Sequence, residues 1–466
     1  MASLTFYGAA QQVTGSCYLI ESEHHRILLE CGIRQGRDRR EDESEKPFEF
    51  DPASIDAVLI SHAHLDHSGL VPLLVKRGYS GPVYTTSVTQ GLLPIMYRDA
   101  ASLLRSDYER KNRRLLRAGK KPVEPPYTIE DVEQALGQVT GIDYGNRQQI
   151  FPDIELRFLD AGHILGSAIV ELWLNEAETV RKLVFSGDLG NSCAPLLNDP
   201  DVVSEADIVL LESTYGDRNH RPLEDTLEEF NGVIEAAAST GGNILIPAFA
   251  VGRTHDLIYW LGLLYHEGRL SGQKVFIDSP MAIKVSNVYE RYHHLFNQDD
   301  PHFREFMKQG WDNWLPGLTY TQSAEESMSL NRVSAGAIII AGSGMCTGGR
   351  ILHHFKHNLW REKTHVVIVG YQAIGTLGRV LVDGATRVKI FGDEIAVKAQ
   401  IHTLGGFSAH AGQDQLLSWS GNFQAPKPRL YLVHGEPEAM QSLQQRFTLD
   451  HQWDVHIPAM GEVISI

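Results

Sequence analysis

The sequence predicts an α/β protein, and three observations along the chain predict it. The first 210 residues carry short strand-like runs punctuated by Gly and Asn, whereas after about residue 216 helical stretches alternate with buried strands. Short strands then return near 388–466. Strands separated by helices imply a parallel sheet covered on both faces, so the middle of the chain reads as an α/β layer.

In order, strands are expected at Leu4 to Tyr7, Cys17 to Ile20, Arg26 to Leu29, Ala57 to Ser61, Pro82 to Thr85 and Ile154 to Leu159. Their apolar content and Gly-rich ends mark where strands stop and loops present side chains. Between Pro94 and Gly137 the pattern turns helical, with Leu103, Leu104, Leu115 and Leu116 set among charges. Arg105 to Lys121 holds eight basic residues against Asp107 and Glu109, a local charge of +6. Such a run reads first as a solvated helix face and second as a surface for a polyanion. The acidic run at 38–51 reads as an exposed loop. Beyond residue 216, helices near 222–239 and 254–266 surround strands at 243–247, 274–278, 336–341 and 365–370, before Lys389 to Phe391 and Leu430 to His434.

Composition narrows the classes. With 466 residues, 42% hydrophobic, the chain has material for two to three packed domains, and its formal charge is −16. Four cysteines without close spacing exclude a disulfide-stapled fold and suit a reducing, cytoplasmic compartment. No apolar run approaches the ~20 residues of a membrane span. An acidic chain repels a polyanion in general, so any nucleic-acid partner must find positive charge locally.

The chemistry concentrates in Ser61-His62-Ala63-His64-Leu65-Asp66-His67, directly after the apolar run AVLI. Three imidazoles and a carboxylate this close carry large desolvation costs in a core, and a metal removes that cost by using their lone pairs. Nitrogen and oxygen donors without sulfur suit zinc, and less specifically manganese or iron. His163 in AGHILGS, Asp188 in FSGDLG and His434 in YLVHGE share a setting, a strand end with glycine beside it. That shared setting favours convergence on one rim.

These residues resemble the metallo-β-lactamase superfamily, and within it the β-CASP family of nucleic-acid-processing enzymes. Glu212-Ser213-Thr214-Tyr215-Gly216 resembles that family's motif A, GGFSAHA around His410 its motif B, and LVHGE around His434 its motif C. GYQAIGTLGR at 370–379 is similar to the same branch. The match is closer to bacterial and archaeal relatives of the pre-mRNA 3′-end cleavage subunit than to the ribonuclease J group.

The resemblance implies an αββα sandwich formed from residues 1–215 and 396–466, with an inserted α/β cap at 216–395. It implies two zinc ions, one held by His62, His64, His163 and Asp188, the other by Asp66, His67, Asp188 and His434. Asp188 would bridge them, and Glu30 in LLECG would support the ligands from behind. Two divalent ions ~3.5–4 Å apart can activate water and neutralise a phosphate, so the catalytic set would be Asp66, Asp188, Glu212 and His410. His410 would protonate the leaving oxygen, oriented by Glu212. The Gly-rich run 342–350 with Ser343, Gly344 and Arg350, together with Arg253, Thr376, Arg379 and Ser408, would meet substrate phosphates. Tyr371 and Phe407 read as core aromatics rather than base-stacking platforms.

The implied substrate is single-stranded RNA, with a homodimer compatible and no membrane partner. A single-stranded DNA nuclease, a noncatalytic RNA-binding scaffold and a small-molecule metallohydrolase are the alternatives. The last leaves the large insert and the Glu212–His410 pair without purpose. Cleavage mode, internal or from an end, does not follow from these residues.

Overall fold

The computed structural model describes residues 2–35, 47–176, 179–192, 194–270, 272–298 and 301–466. Most of the acidic run at 38–51, and Cys193, lie outside the described residues.

Two seven-stranded sheets face each other. The first runs in the order Val463–Ser465, Ser3–Gly8, Cys17–Glu21, Arg26–Leu29, Ala57–Leu59, Val83–Thr86, Val139–Ile142. The second runs Val455–His456, Arg429–Val433, Ile208–Glu212, Thr179–Phe185, Ala168–Glu176, Ile154–Asp160, Gln148–Phe151. Side chains alternate between the two faces of each strand. Leu4, Phe6, Tyr18 and Ile20 therefore meet Phe158, Leu172, Phe185 and Leu210 between the sheets. Val184, Val209, Leu211 and Leu432 face outward from the second sheet against Leu416, Trp419, Met440 and Leu443 of the helices Gln413–Gly421 and Pro437–His451. Leu19, Leu28 and Val58 pack on the helix Val71–Lys76 on the opposite outside. The result is an αββα sandwich.

Chain ends close both sheets. Val463–Ser465 pairs with Ser3–Gly8, and Arg429–Val433 lies parallel to Ile208–Glu212, so the final segment completes sheets begun in the first half.

A third sheet has six parallel strands in the order Thr319–Tyr320, Lys274–Asp278, Ala337–Ala341, Ile244–Pro247, His365–Ile368, Gln400–Thr403. Helices cover both faces, and the central Ala337–Ala341 is buried throughout, as expected for a doubly covered parallel strand. Its last strand, Gln400–Thr403, lies beyond the expected boundary at 396.

The helical stretch expected from Pro94 begins earlier, at Ser87, and runs to Arg117. Thr86 caps it through Thr89 N–H, and Pro94 is accommodated inside it. A proline removes one helical hydrogen bond. Here the surrounding Leu92, Leu93, Met96 and Tyr97 are buried, and their packing offsets the loss.

Candidate metal centre

The Ser61 to His67 segment leaves the strand Ala57–Leu59 and is pinned from behind by Glu30. That carboxylate is fully buried and accepts Ser61 N–H at 2.6 Å, Ser61 Oγ at 2.9 Å and His67 Nδ1 at 2.5 Å. Burial pushes the Glu30 carboxyl up, and His67 opposes that push. Glu30 itself adopts φ +63°, a conformation that costs a non-glycine residue on the order of 1–3 kcal/mol. A Cβ at Gly32 would sit 1.6 Å from the Asp66 carbonyl oxygen, so only glycine lets this strand end approach the loop.

With Nδ1 of His62 turned to Ser61 Oγ at 3.0 Å, its Nε2 faces inward, 3.0 Å from His64 Nδ1. His163 Nε2 reaches the same His64 nitrogen at 3.3 Å, and Asp188 Oδ2 lies 3.6 Å from both His62 Nε2 and His163 Nε2. These four ligand atoms fall within 4.8 Å of one another. A second group joins Asp66, His67 and His434. Here His67 Nε2 is 3.2 Å from His434 Nε2, Asp66 Oδ2 is 3.9 Å from His434 Nε2, and Asp188 Oδ1 is 3.3 Å from His67 Nε2. Asp188 thus turns one oxygen toward each group. Glu30, His62 and His67 also lie close together, but the Glu30 carboxylate is occupied on the far side of the rings.

The electrostatics favour cation donors. Burial lowers His62 and His163 well below the usual imidazole range and His64 to about 4, so all three are neutral lone-pair donors at pH 7. Burial works against an ionised Asp188, yet His434, His67, His410 and His62 hold its carboxyl well below the ordinary value. Its buried Oδ1 has the His67 contact, outside good hydrogen-bond geometry, and His64 Nε2 makes no hydrogen bond among the described residues. Orphaned buried acceptors and crowded nitrogens are what a divalent ion would satisfy, and the mixed N/O set fits zinc, manganese or iron. Burial alone would lower His67, but Asp188 and Glu30 raise it well above the usual range. A cation entering there displaces a proton.

Beside this centre, His410 Nδ1 lies 3.2 Å from Glu212 Oε1 and 3.9 Å from Asp188 Oδ2. Burial lowers the His410 imidazole, and the Glu212 and Asp188 carboxylates outweigh it, so the net direction is up. Glu212 is fully buried at the end of the strand Ile208–Glu212 and also accepts Leu189 N–H at 2.9 Å.

Three family models match this chain: the metallo-beta-lactamase superfamily over residues 11–146, the Beta-Casp domain over 254–381, and the Zn-dependent metallo-hydrolase RNA specificity domain over 394–458. Ribonuclease TTHA0252 of Thermus thermophilus is 41% identical over 463 residues, covering 99% of both chains. The chain belongs to the β-CASP branch of the metallo-β-lactamase superfamily. Transcription termination factor FttA of Methanocaldococcus jannaschii is 32% identical, over 93% of this chain and 67% of its own length. A crystal structure of a protein of unknown function from Enterococcus faecalis aligns with TM-score 0.52 at 12% identity, over 99% of both chains, a likeness of fold.

Around this β-CASP centre the expected substrate residues divide. Arg253, paired with Asp256 at 2.9 Å, and Ser408 line one shallow recess with His163 and Asn191. Gly344 packs on Phe249, whose ring lies 5.7 Å from that of His64, which brings the Gly-rich loop to the centre's edge. Ser343 Oγ is engaged within that loop by Thr347 N–H and Gly348 N–H. Arg350 turns inward, donating to Asp278 at 2.6 Å and to the Thr321 and Gln322 carbonyls. Thr376 is buried as a helix cap, its hydroxyl donating to Ala373 O, and Arg379 pairs with Asp383 at 2.9 Å. Phe407 packs in the core against Phe230, and Tyr371 OH donates to Glu436 at 2.7 Å, tying the third sheet's loop to the segment after His434.

Sequence reasoning passed over Thr214, whose hydroxyl lies 3.0 Å from His434 Nδ1 and orients the ring, and Asn191, whose Nδ2 donates to the Ser408 carbonyl at 3.3 Å. The only signal for either was its place beside a ligand motif.

Proposed function

We propose that this chain hydrolyses phosphodiester bonds of single-stranded RNA at a centre loaded with two divalent cations, zinc in the native enzyme. Asp188 carries the reading, since its two oxygens address two separate donor groups beside an imidazole–carboxylate pair. His62, His64, His163 and Asp188 would hold one ion, and Asp66, His67, His434 and Asp188 the other. Such ions activate water and stabilise charge on the phosphate.

The rest falls to the chain's own side chains. His410, its Nδ1 turned to Glu212, presents Nε2 to protonate the departing oxygen. Glu212 holds that ring and favours its charged form. Arg253 and Ser408 would receive a flanking phosphate in the recess next to His163. A ribonuclease relative matched over the full chain and a Zn-dependent, RNA-specificity family model support both substrate and metal. The same reading divides the chain into a core of 1–215 and 396–466 with a cap at 216–395. Pairing of Gln400–Thr403 with His365–Ile368 favours moving the second boundary past Thr403.

Matched 5′- and 3′-labelled RNA and single-stranded DNA oligomers, incubated with metal-loaded and chelated protein, test this. RNA cleavage that disappears on chelation and returns with zinc is expected. Activity indifferent to complete metal removal, or cleavage of DNA in preference to RNA, would overturn it.

A further inference from the structure

The long helix Ser87–Arg117 starts at the metal centre and leaves it. Thr86 and Thr89 hydroxyls both donate to the Gly166 carbonyl, in the loop that carries His163. The helix then crosses the third-sheet layer. Gly91 faces Val288 and Tyr292, and Tyr292 OH donates to Ser87 O at 3.1 Å. At 1.5 Å per residue its 31 residues extend about 45 Å.

Beyond Leu104 the helix is charged and solvated. Arg105, Arg110, Lys111, Arg113, Arg114 and Arg117 are all exposed, as are Leu103 and Leu116. Arg105 faces Glu109, Arg110 pairs with Asp107, and Lys111 sits over the Tyr108 ring. Arg113, Arg114 and Arg117 have no ion-pair partner among the described residues. Asn112 fixes the stretch beyond the helix end, exchanging two hydrogen bonds with the Val123 backbone at 2.8 and 2.9 Å. That clamp folds Lys120 and Lys121 back beside the helix end, making a compact basic knob.

A second route leads outward from the centre's edge. The glycine run 342–350, which touches Phe249 near His64, leads into the helix Ile351–Asn358. That helix carries His353, its ring 4.6 Å from that of the half-exposed Phe391.

We propose that the basic end of Ser87–Arg117, with Lys120 and Lys121, is a sequence-independent docking track for the phosphate backbone of single-stranded RNA outside the catalytic cleft. Charge complementarity selects the ligand. In a chain of net charge −16, Arg113, Arg114, Arg117, Lys120 and Lys121 sit together on a braced helix end with no ion-pair partner among the described residues, and such a group attracts a polyanion. This inference rests on the reading of the chain as an RNA hydrolase.

The test compares wild type with Arg113→Ala/Arg114→Ala/Arg117→Ala, metal-loaded, on a short RNA that fills only the cleft and on a long RNA that spans about 45 Å or more. For the long RNA, KM should rise about tenfold, and the slope of log KM against log salt should fall by about two units. kcat on both substrates and KM on the short one should not change. An unchanged long-RNA KM and salt slope, with normal short-RNA turnover, would sink the track and leave the hydrolase reading intact. If wild type fails to cleave the short RNA, that reading falls instead. Anisotropy with labelled long RNA then decides the track, weaker binding by the variant supporting it and equal binding overturning it. Lys120→Ala/Lys121→Ala should move in the same direction, which separates lost charge from a folding defect in the helix.

Discussion

His67 and His434 direct their Nε2 atoms at each other across 3.2 Å, although 367 positions separate them in the chain. The meeting depends on Arg429–Val433 being inserted beside Ile208–Glu212, and on His434 holding φ +53° just past that strand. Strain of this kind persists only where surrounding contacts enforce it. Thr214 and the Ala9 carbonyl, which accepts His434 N–H at 2.8 Å, supply them.

Asp188 and His434 should therefore differ in what they cost. His434→Ala is expected to lose about one ion per chain, and Asp188→Asn to weaken both sites, since each of its oxygens serves a different group. Metal content by mass spectrometry distinguishes the two outcomes, and turnover should fall at least about a hundredfold in each. Retention of two ions by Asp188→Asn would refute the shared-ligand arrangement.

Glu30 touches no predicted ion but holds Ser61 and His67. Glu30→Gln should lower metal affinity about 10–100-fold, measured by chelator competition, while the fold survives. It also sets a buried amide N–H against the Ser61 or His67 donor, a mismatch worth about 1–3 kcal/mol of stability.

His410 is raised from the ordinary imidazole value by Glu212 and Asp188 acting against burial. As a general acid it works only while protonated, so turnover is lost as pH rises through its pKa. Glu212→Gln removes one of the charges favouring the imidazolium, the pKa drops, and the alkaline limb of kcat should move to lower pH. A limb that stays in place would show that His410 does not supply the proton.

Asp278 gathers Thr321, Ser327, Arg350 and His354 around one buried carboxylate. Burial pushes its carboxyl up, but His354 and the other donors hold it well below the usual range. A depressed carboxyl contributes stability that is present above its unfolded value and lost as pH falls toward the folded one. Asp278→Ala should cost about 3–5 kcal/mol in urea denaturation at pH 7, and the difference from wild type should shrink in acid.

Legibility followed the range of the interaction. His62, His64, Asp66 and His67 stand within six positions, so their type and spacing alone point to a metal; the shared strand-end setting adds His163, Asp188 and His434, and motif likeness adds their division between two ions and the roles of Glu212 and His410. Arg350, Thr376 and Arg379 are expected at substrate phosphates from motif likeness, and the fold adds Asp278, Ala373 O and Asp383 as their partners, contacts that no local pattern reveals. Likewise Pro94 read as a helix start, whereas the packing of Leu92, Leu93, Met96 and Tyr97 carries the helix back to Ser87.

What the sequence alone determined is the chemistry on offer: donor types, strand and helix periodicity, and the family to which their spacing belongs. Tertiary structure decided which donors meet, which oxygen of Asp188 faces which nitrogens, and which cations at the far end of Ser87–Arg117 find no ion-pair partner among the described residues. The reason is physical. Side-chain type is written residue by residue, but a coordination site or a charged track requires ångström-scale proximity between distant segments, and only the packing of sheets and helices establishes that.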